Sequence, residues 1–88
     1  MRYTVRWTRK ARLQQLAQVW LDAPDRNAVT AATNEVDRLL ATDPAGQGES
    51  RAAGLRVLIV EPLIVGYLVN EDDRRVVVFS CRYFGPTA

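Results

Sequence analysis

Three runs rich in apolar residues, Leu55 to Val60, Leu63 to Asn70 and Arg75 to Tyr83, follow one another with only Glu61-Pro62 and Glu71-Asp72-Asp73-Arg74 between them. Connections this short turn the chain back on itself, so the runs predict an antiparallel meander of three strands. A sheet covered on one side alternates apolar with polar residues, yet Val57-Leu58-Ile59-Val60, Leu63-Ile64-Val65 and Val76-Val77-Val78-Phe79 are apolar on both faces. Both faces are therefore expected to be covered, one by the rest of the chain and the other by a second copy or another protein.

The first half of the chain must supply the first cover. Residues 2 to 7 alternate Arg2, Thr4, Arg6 with Tyr3, Val5, Trp7, the period of a strand with one buried face. Thr8 offers a hydroxyl at an N-cap position, and Leu13, Leu16, Ala17 and Trp20 follow at helical spacing, predicting a helix over 9–22 that ends before Pro24. Asp25 is the expected cap of a second helix over 26–42, with Val29, Ala32, Val36, Leu39 and Leu40 as its inner stripe. Trp7 and Trp20 lie on these apolar faces and are expected in the core. The polar segment Asp43 to Ser50, punctuated by Pro44, Gly46 and Gly48, predicts a loop, and the stretch through Gly54 is expected to be the most mobile. The order strand, helix, helix, strand, strand, strand predicts an α+β fold of two layers, an antiparallel sheet packed against a helical hairpin, with residues 1–88 as one domain. Pairing of 63–70 with 75–83 is the safest element of a strand order otherwise left open.

Composition narrows the chemistry. With 88 residues, 48% apolar and 25% charged, the chain has the balance of a small globular domain rather than a disordered or fibrous one. No run reaches the ~20 apolar residues of a membrane-spanning helix, and the start lacks the pattern of a secretory signal, so a cytoplasmic location away from membranes is expected. There is no histidine and a single cysteine, Cys81. That excludes Ser-His-Asp and Cys-His mechanisms and leaves too few ligands for structural zinc, so neither metal nor cofactor is expected. Cys81 reads as a small buried hydrophobe, and Glu71-Asp72-Asp73 as a solvated turn.

Net charge is only +2, but five of the twelve basic residues, Arg2, Arg6, Arg9, Lys10 and Arg12, fall in the first twelve positions without an acid among them. Eleven of the twelve are arginine, whose planar fork suits phosphates, stacked bases and carboxylates. This cluster is the candidate surface for nucleic acid or for an acidic protein segment, with solvated surface charge as the alternative reading.

The opening Tyr3-x-Val5-x-Trp7-Thr8-x-x-Ala11, continued by Arg12-Leu13-Gln14-Gln15-Leu16, resembles the start of the RelE/ParE superfamily of toxins from bacterial toxin-antitoxin systems. Asp43-Pro44, Gly54, Tyr67 and the final stretch Arg75 to Tyr83 sit where that family places comparable residues, so the resemblance spans nearly the whole chain. It implies a small toxin neutralised by a partner antitoxin, with one of two activities: RelE-like cleavage of mRNA on the ribosome, or ParE-like inhibition of DNA gyrase. Carried over residue by residue, the RelE-type set is sparse. Ile64 stands where RelE-like nucleases carry an arginine, and Leu55 and Val57 stand near their lysines. The Cys81-Arg82-Tyr83 stretch is followed by Phe84-Gly85-Pro86, not by the His-Tyr pair of the YoeB-like branch.

Arg56 and Arg82, as phosphate clamps, and Tyr83, as a stacking surface or weak acid, are what remains for catalysis; Glu61 is a carboxylate at a turn. A toxin-like binding module pairing with an antitoxin or with itself is therefore the favoured expectation. A ribosome-dependent mRNA interferase using Arg56, Arg82 and Tyr83 and a gyrase inhibitor are the alternatives.

Overall fold

A computed structural model describes residues 2–51 and 54–85. Residues 52–53 of the expected mobile stretch, and Pro86 with the rest of the tail, lie outside the described residues. Strand β1, Thr4–Trp7, leads into a π-helical segment, Lys10–Leu16, that continues as helix α1, Ala17–Asp22; helix α2 spans Arg26–Thr42. The two-residue strand β2, Glu49–Ser50, precedes β3, Leu55–Val60, β4, Leu63–Asn70, and β5, Arg75–Tyr83. The fold is the expected two-layer α+β arrangement, with the helices on one face of a five-stranded sheet.

Local chemistry explains most boundaries. The Thr8 hydroxyl accepts from the Ala11 N–H at 3.1 Å, and the Asp25 carboxylate accepts from the Ala28 N–H at 3.1 Å, so both expected caps form. Ala23 adopts an extended conformation ahead of Pro24, ending α1 where the residue before proline is pushed out of helical space. Arg26 closes that end: its Nε and Nη2 donate to the Trp20 and Leu21 carbonyls at 3.1 and 3.0 Å, and its guanidinium stacks 4.8 Å above the Trp20 ring.

Strand order is β1-β5-β4-β3-β2. The meander holds as expected, with Leu58 opposite Val65, Val65 opposite Cys81 and Asn70 opposite Arg75. Strand β1 joins β5 in parallel, Val5 beside Val76 and Trp7 beside Val78, a pairing that no local pattern encodes. Backbone bonds from Tyr3 N–H to the Ala41 carbonyl and Thr4 N–H to the Arg74 carbonyl pin its start. The Tyr3 hydroxyl donates to the Glu71 carboxylate at 2.8 Å, a bond that holds the phenol above its ordinary pKa.

The core forms between α2 and the sheet: Val29, Ala32, Val36 and Leu40 meet Leu58, Leu63, Val65, Tyr67, Val76, Val78 and Cys81. The stripe read for α2 is the buried one. For the first helix only Leu16 of the expected stripe packs on the core. Ala11 is buried and Leu16, Val19 and Ala23 are half-buried, whereas Leu13 and Trp20 are 59% and 41% exposed and Ala17 is exposed. Trp20 is thus a surface residue, its indole N–H donating to the Thr30 hydroxyl at 3.2 Å. The helix carries two apolar stripes, and the sheet takes the one bearing small alanines. There the π-helical turns, marked by the Ala17 N–H bonding back to Arg12, lie against β5 and place the Gln15 amide oxygen 2.8 Å from the Cys81 N–H. Trp7 does pack on the core and donates its indole N–H to Asp37 at 2.7 Å.

Candidate functional site

Alternation along paired strands sorts every sheet residue onto one of two faces. Leu58, Val65, Tyr67, Val76, Val78 and Cys81 are buried toward the helices, so Val57 and Ile59 of β3, Ile64, Gly66 and Leu68 of β4, and Val77 of β5 share the outer face. Ile59 and Leu68 are 52% and 44% exposed. The register shifts at Gly66/Tyr67, where Gly66 faces Ser80 and Tyr67 faces Val78, leaving Phe79 as the extra residue of a β-bulge. Phe79 and Ser80 both turn outward. A Cβ on Gly66 would lie 3.2 Å from the Phe79 ring and 2.5 Å from the Ser80 hydroxyl, so glycine here makes room for the aromatic ring on the outer face. The Ser80 hydroxyl also accepts from the Gly66 N–H at 3.1 Å.

Arginines rim this apolar field. Arg75 lies beside Thr4, Arg6 beside Val77, and Arg82 opposite Ile64, all exposed on the same outer face. The five residues of the N-terminal basic cluster do not form one patch with a common direction. Arg6 belongs to the outer sheet face, Arg2, Arg9 and Lys10 are exposed before β1 and at the start of the first helix, and Arg12 stacks 5.3 Å above the Trp7 ring on the helical side. Arg75 of the outer face escapes sequence reasoning, because only the parallel β1–β5 pairing brings it near Arg6.

The three catalytic candidates separate in the same way. Arg56 shares the inner face with Leu58, opposite Tyr67, and its guanidinium donates to the Gln47 carbonyl through Nε at 3.2 Å and Nη2 at 3.1 Å, with Nη2 3.4 Å from the Gly48 carbonyl. It holds the 43–48 loop. Arg82 and Tyr83 border a cavity of about 570 Å³ between the first helix and the end of β5, with Gln14, Gln18 and Asp22 on its helical wall. Arg56 is not among its lining residues. Glu61 is exposed at the β3–β4 turn, and Glu71, Asp72 and Asp73 are exposed at the β4–β5 turn. Among the described residues no group of His, Cys, Asp and Glu side chains could hold a metal ion, and no helix is long and apolar enough to cross a membrane.

Cys81 is 2% exposed, and burial pushes its thiol up from 9.0 to about 11. Two pH units mean about a hundredfold less thiolate than an ordinary cysteine near neutrality. Alkylation by iodoacetamide at pH 8 is expected to be at least that much slower in the folded protein than in urea; equal rates would refute the burial. The same shift leaves stability untouched by this thiol below pH 9. Stability then falls between pH 9 and about 11, because the unfolded chain ionises first.

No family model and no curated protein sequence matches the chain. Solved structures do match. A chain of the toxin-antitoxin complex RelBE2 from Mycobacterium tuberculosis superposes with a TM-score of 0.74 at 20% identity, covering 94% of this chain and 92% of that one. A chain of the chromosomal ParDE toxin-antitoxin system from P. aeruginosa gives 0.72 at 20% identity, over 94% and 97%. The isolated E. coli RelE toxin gives 0.62 at 10% identity, over 97% and 87%. The chain therefore shares the fold of these structures.

Proposed function

We propose that this protein is the toxin-like half of a toxin-antitoxin pair and acts by binding, its outer sheet face receiving an antitoxin segment, without RelE-type mRNA cleavage. The observation that carries the reading is that face itself: Val57, Ile59, Ile64, Leu68, Val77 and Phe79 form an apolar field rimmed by Arg6, Arg75 and Arg82. Apolar area of this kind drives association, and the arginines along its β1 and β5 side, away from Glu49 at the β2 edge, select an acidic, amphipathic partner and speed its approach. Structures of the same fold come from complexes of toxins with antitoxins, which supports a partner of that class.

Catalysis is disfavoured on placement. Arg56 is tied to a loop backbone on the inner face, away from Arg82 on the outer one, so the trio cannot converge on one phosphate without dismantling the loop. The cavity shared by Arg82 and Tyr83 is what favours the second reading, an mRNA interferase.

One set of experiments decides. If the chain has an antitoxin partner, a reading frame beside the gene is expected to encode it, and its product to co-purify with the wild-type chain. Ile59→Glu and Leu68→Glu should each weaken that complex about 100-fold, since both bury a charge in the apolar field while leaving the exposed monomer folded. Ribosomes programmed with mRNA should yield no cleavage. A cut abolished by Arg82→Ala would replace the binding reading with the nuclease one.

A further inference from the structure

Strand β5 outruns its neighbour on the β1 side. Pairing with β1 ends at Trp7 beside Val78, and the Thr8 N–H still donates to the Val78 carbonyl at 2.8 Å. From Phe79 to Tyr83, β5 keeps β4 on one side and has no strand among the described residues on the other. The first helix passes over that stretch without closing on it. Between them lies the cavity of about 570 Å³, lined by buried Cys81, by half-buried Val19 and Ala23, and by Gln18 and Asp22, which bond each other at 2.8 Å.

The main chain facing this cavity is an open sheet edge. Peptide groups alternate in direction along a strand, so the N–H and C=O of Cys81 point away from β4, as do those of Tyr83. The Cys81 N–H is met by the Gln15 amide oxygen at 2.8 Å, in the place that a carbonyl of a neighbouring strand takes in a ladder. A side-chain amide thus stands in for a peptide group. It projects from the π-helical segment Lys10–Leu16, a geometry that is rare and recurs at functional sites. The two charged residues of the lining, Arg82 and Asp22, have opposite signs, so the cavity does not select a polyanion such as nucleic acid.

We propose that this cavity is a docking site for an extended peptide segment of about four to five residues, which adds to β5 in line with β1 and displaces the Gln15 amide from the Cys81 N–H. Main-chain bonds to β5 supply the recognition. The side chains of the segment that point toward the helix meet Val19 and Ala23, which asks for apolar residues at alternate positions. The site lies between the sheet and the helical layer, so the proposal does not rest on the antitoxin reading of the outer face.

Random heptapeptides displayed on phage and selected on the immobilised full chain supply the probe, and the best binder is synthesised for titration calorimetry. Enriched sequences are expected to alternate apolar with polar residues. N-methylation of the binder at the nitrogens facing β5 should weaken it at least about 30-fold, because each methyl removes a ladder donor and clashes with the edge. In ¹⁵N spectra the Cys81 amide should shift on binding. Gln15→Ala should tighten binding about 3- to 10-fold, since the peptide no longer competes with a side chain for the Cys81 N–H. A Gln15 that merely supports the helix predicts the opposite sign. Ile59→Glu, on the outer face, should leave the affinity within about 2-fold. Selection that enriches no sequence would overturn the proposal, as would a complex indifferent to N-methylation. So would weaker binding by a Gln15→Ala protein with wild-type circular dichroism; the methylated peptides test the wild-type chain and need no variant to fold.

Discussion

Tyr67→Phe is expected to lower the free energy of unfolding by about 1–3 kcal/mol, and Tyr67→Ala by about 3–5 kcal/mol, measured by urea denaturation. Tyr67 is fully buried, and its hydroxyl proton is shared between the carbonyls of Pro44 at 2.8 Å and Gln47 at 2.7 Å. Pro44 is itself buried, so removing the hydroxyl strands a carbonyl away from water. The Gln47 carbonyl also accepts from Arg56, which makes Tyr67 and Arg56 two donors on one loop oxygen. The cost of Arg56→Met should therefore differ between the wild-type and Tyr67→Phe backgrounds, because residues sharing a partner are not additive. Strict additivity would show that the two side chains hold the loop independently. Small domains have only about 5–15 kcal/mol to lose, so Tyr67→Ala is expected to leave a substantial unfolded fraction at 37 °C.

The second large effect lies in the same loop. Gly48 has φ +67°, and a Cβ there would collide with the Val57 carbonyl of β3. Gly48→Ala combines the left-handed backbone penalty with a clash against main chain that cannot swing aside, for an expected loss of about 2–4 kcal/mol. Gly54 supplies the control. Its φ is +78°, yet among the described residues nothing lies within 4 Å of a Cβ built on it, so Gly54→Ala should cost only about 1 kcal/mol. Equal losses at the two glycines, by thermal or urea unfolding, would mean that backbone conformation and not the contact with β3 sets the requirement.

These effects meet at the edge of the sheet. The loop held by Tyr67 and Arg56 delivers Glu49–Ser50 to pair with Arg56 and Val57 as β2, a short charged strand that closes the β3 edge. Exposed edges invite pairing with other chains, and a two-residue strand bearing Glu49 discourages it. Arg56, a catalytic candidate by residue type, is thus occupied by the fold.

Much is legible in the sequence because its cause is local. The caps at Thr8 and Asp25, the α2 stripe from Val29 to Leu40, the three strands and their short turns, and the burial of Cys81 all follow from spacing and residue type within a dozen positions. The doubly apolar strands also foretell the exposed apolar residues of the outer face. The first helix defeats such reasoning because it carries two apolar stripes. Helical periodicity cannot tell which of them will meet the sheet. Ala11 and Ala23 allow the close approach that Leu13 and Trp20 do not.

What the amino-acid sequence determined by itself is the order of the helices and of the four longer strands, the two-layer class and the kinds of side chain available for chemistry, since these depend on neighbours a few residues apart; the short strand β2 falls in the segment read as a loop. Tertiary structure alone decided that β1 lies parallel to β5, that Arg6, Arg75 and Arg82 rim one face, and that Arg56 and Arg82 look in opposite directions. Those outcomes depend on contacts between strands at opposite ends of the chain and on a single bulge at Phe79. One residue of register moves every side chain of a strand to the other face.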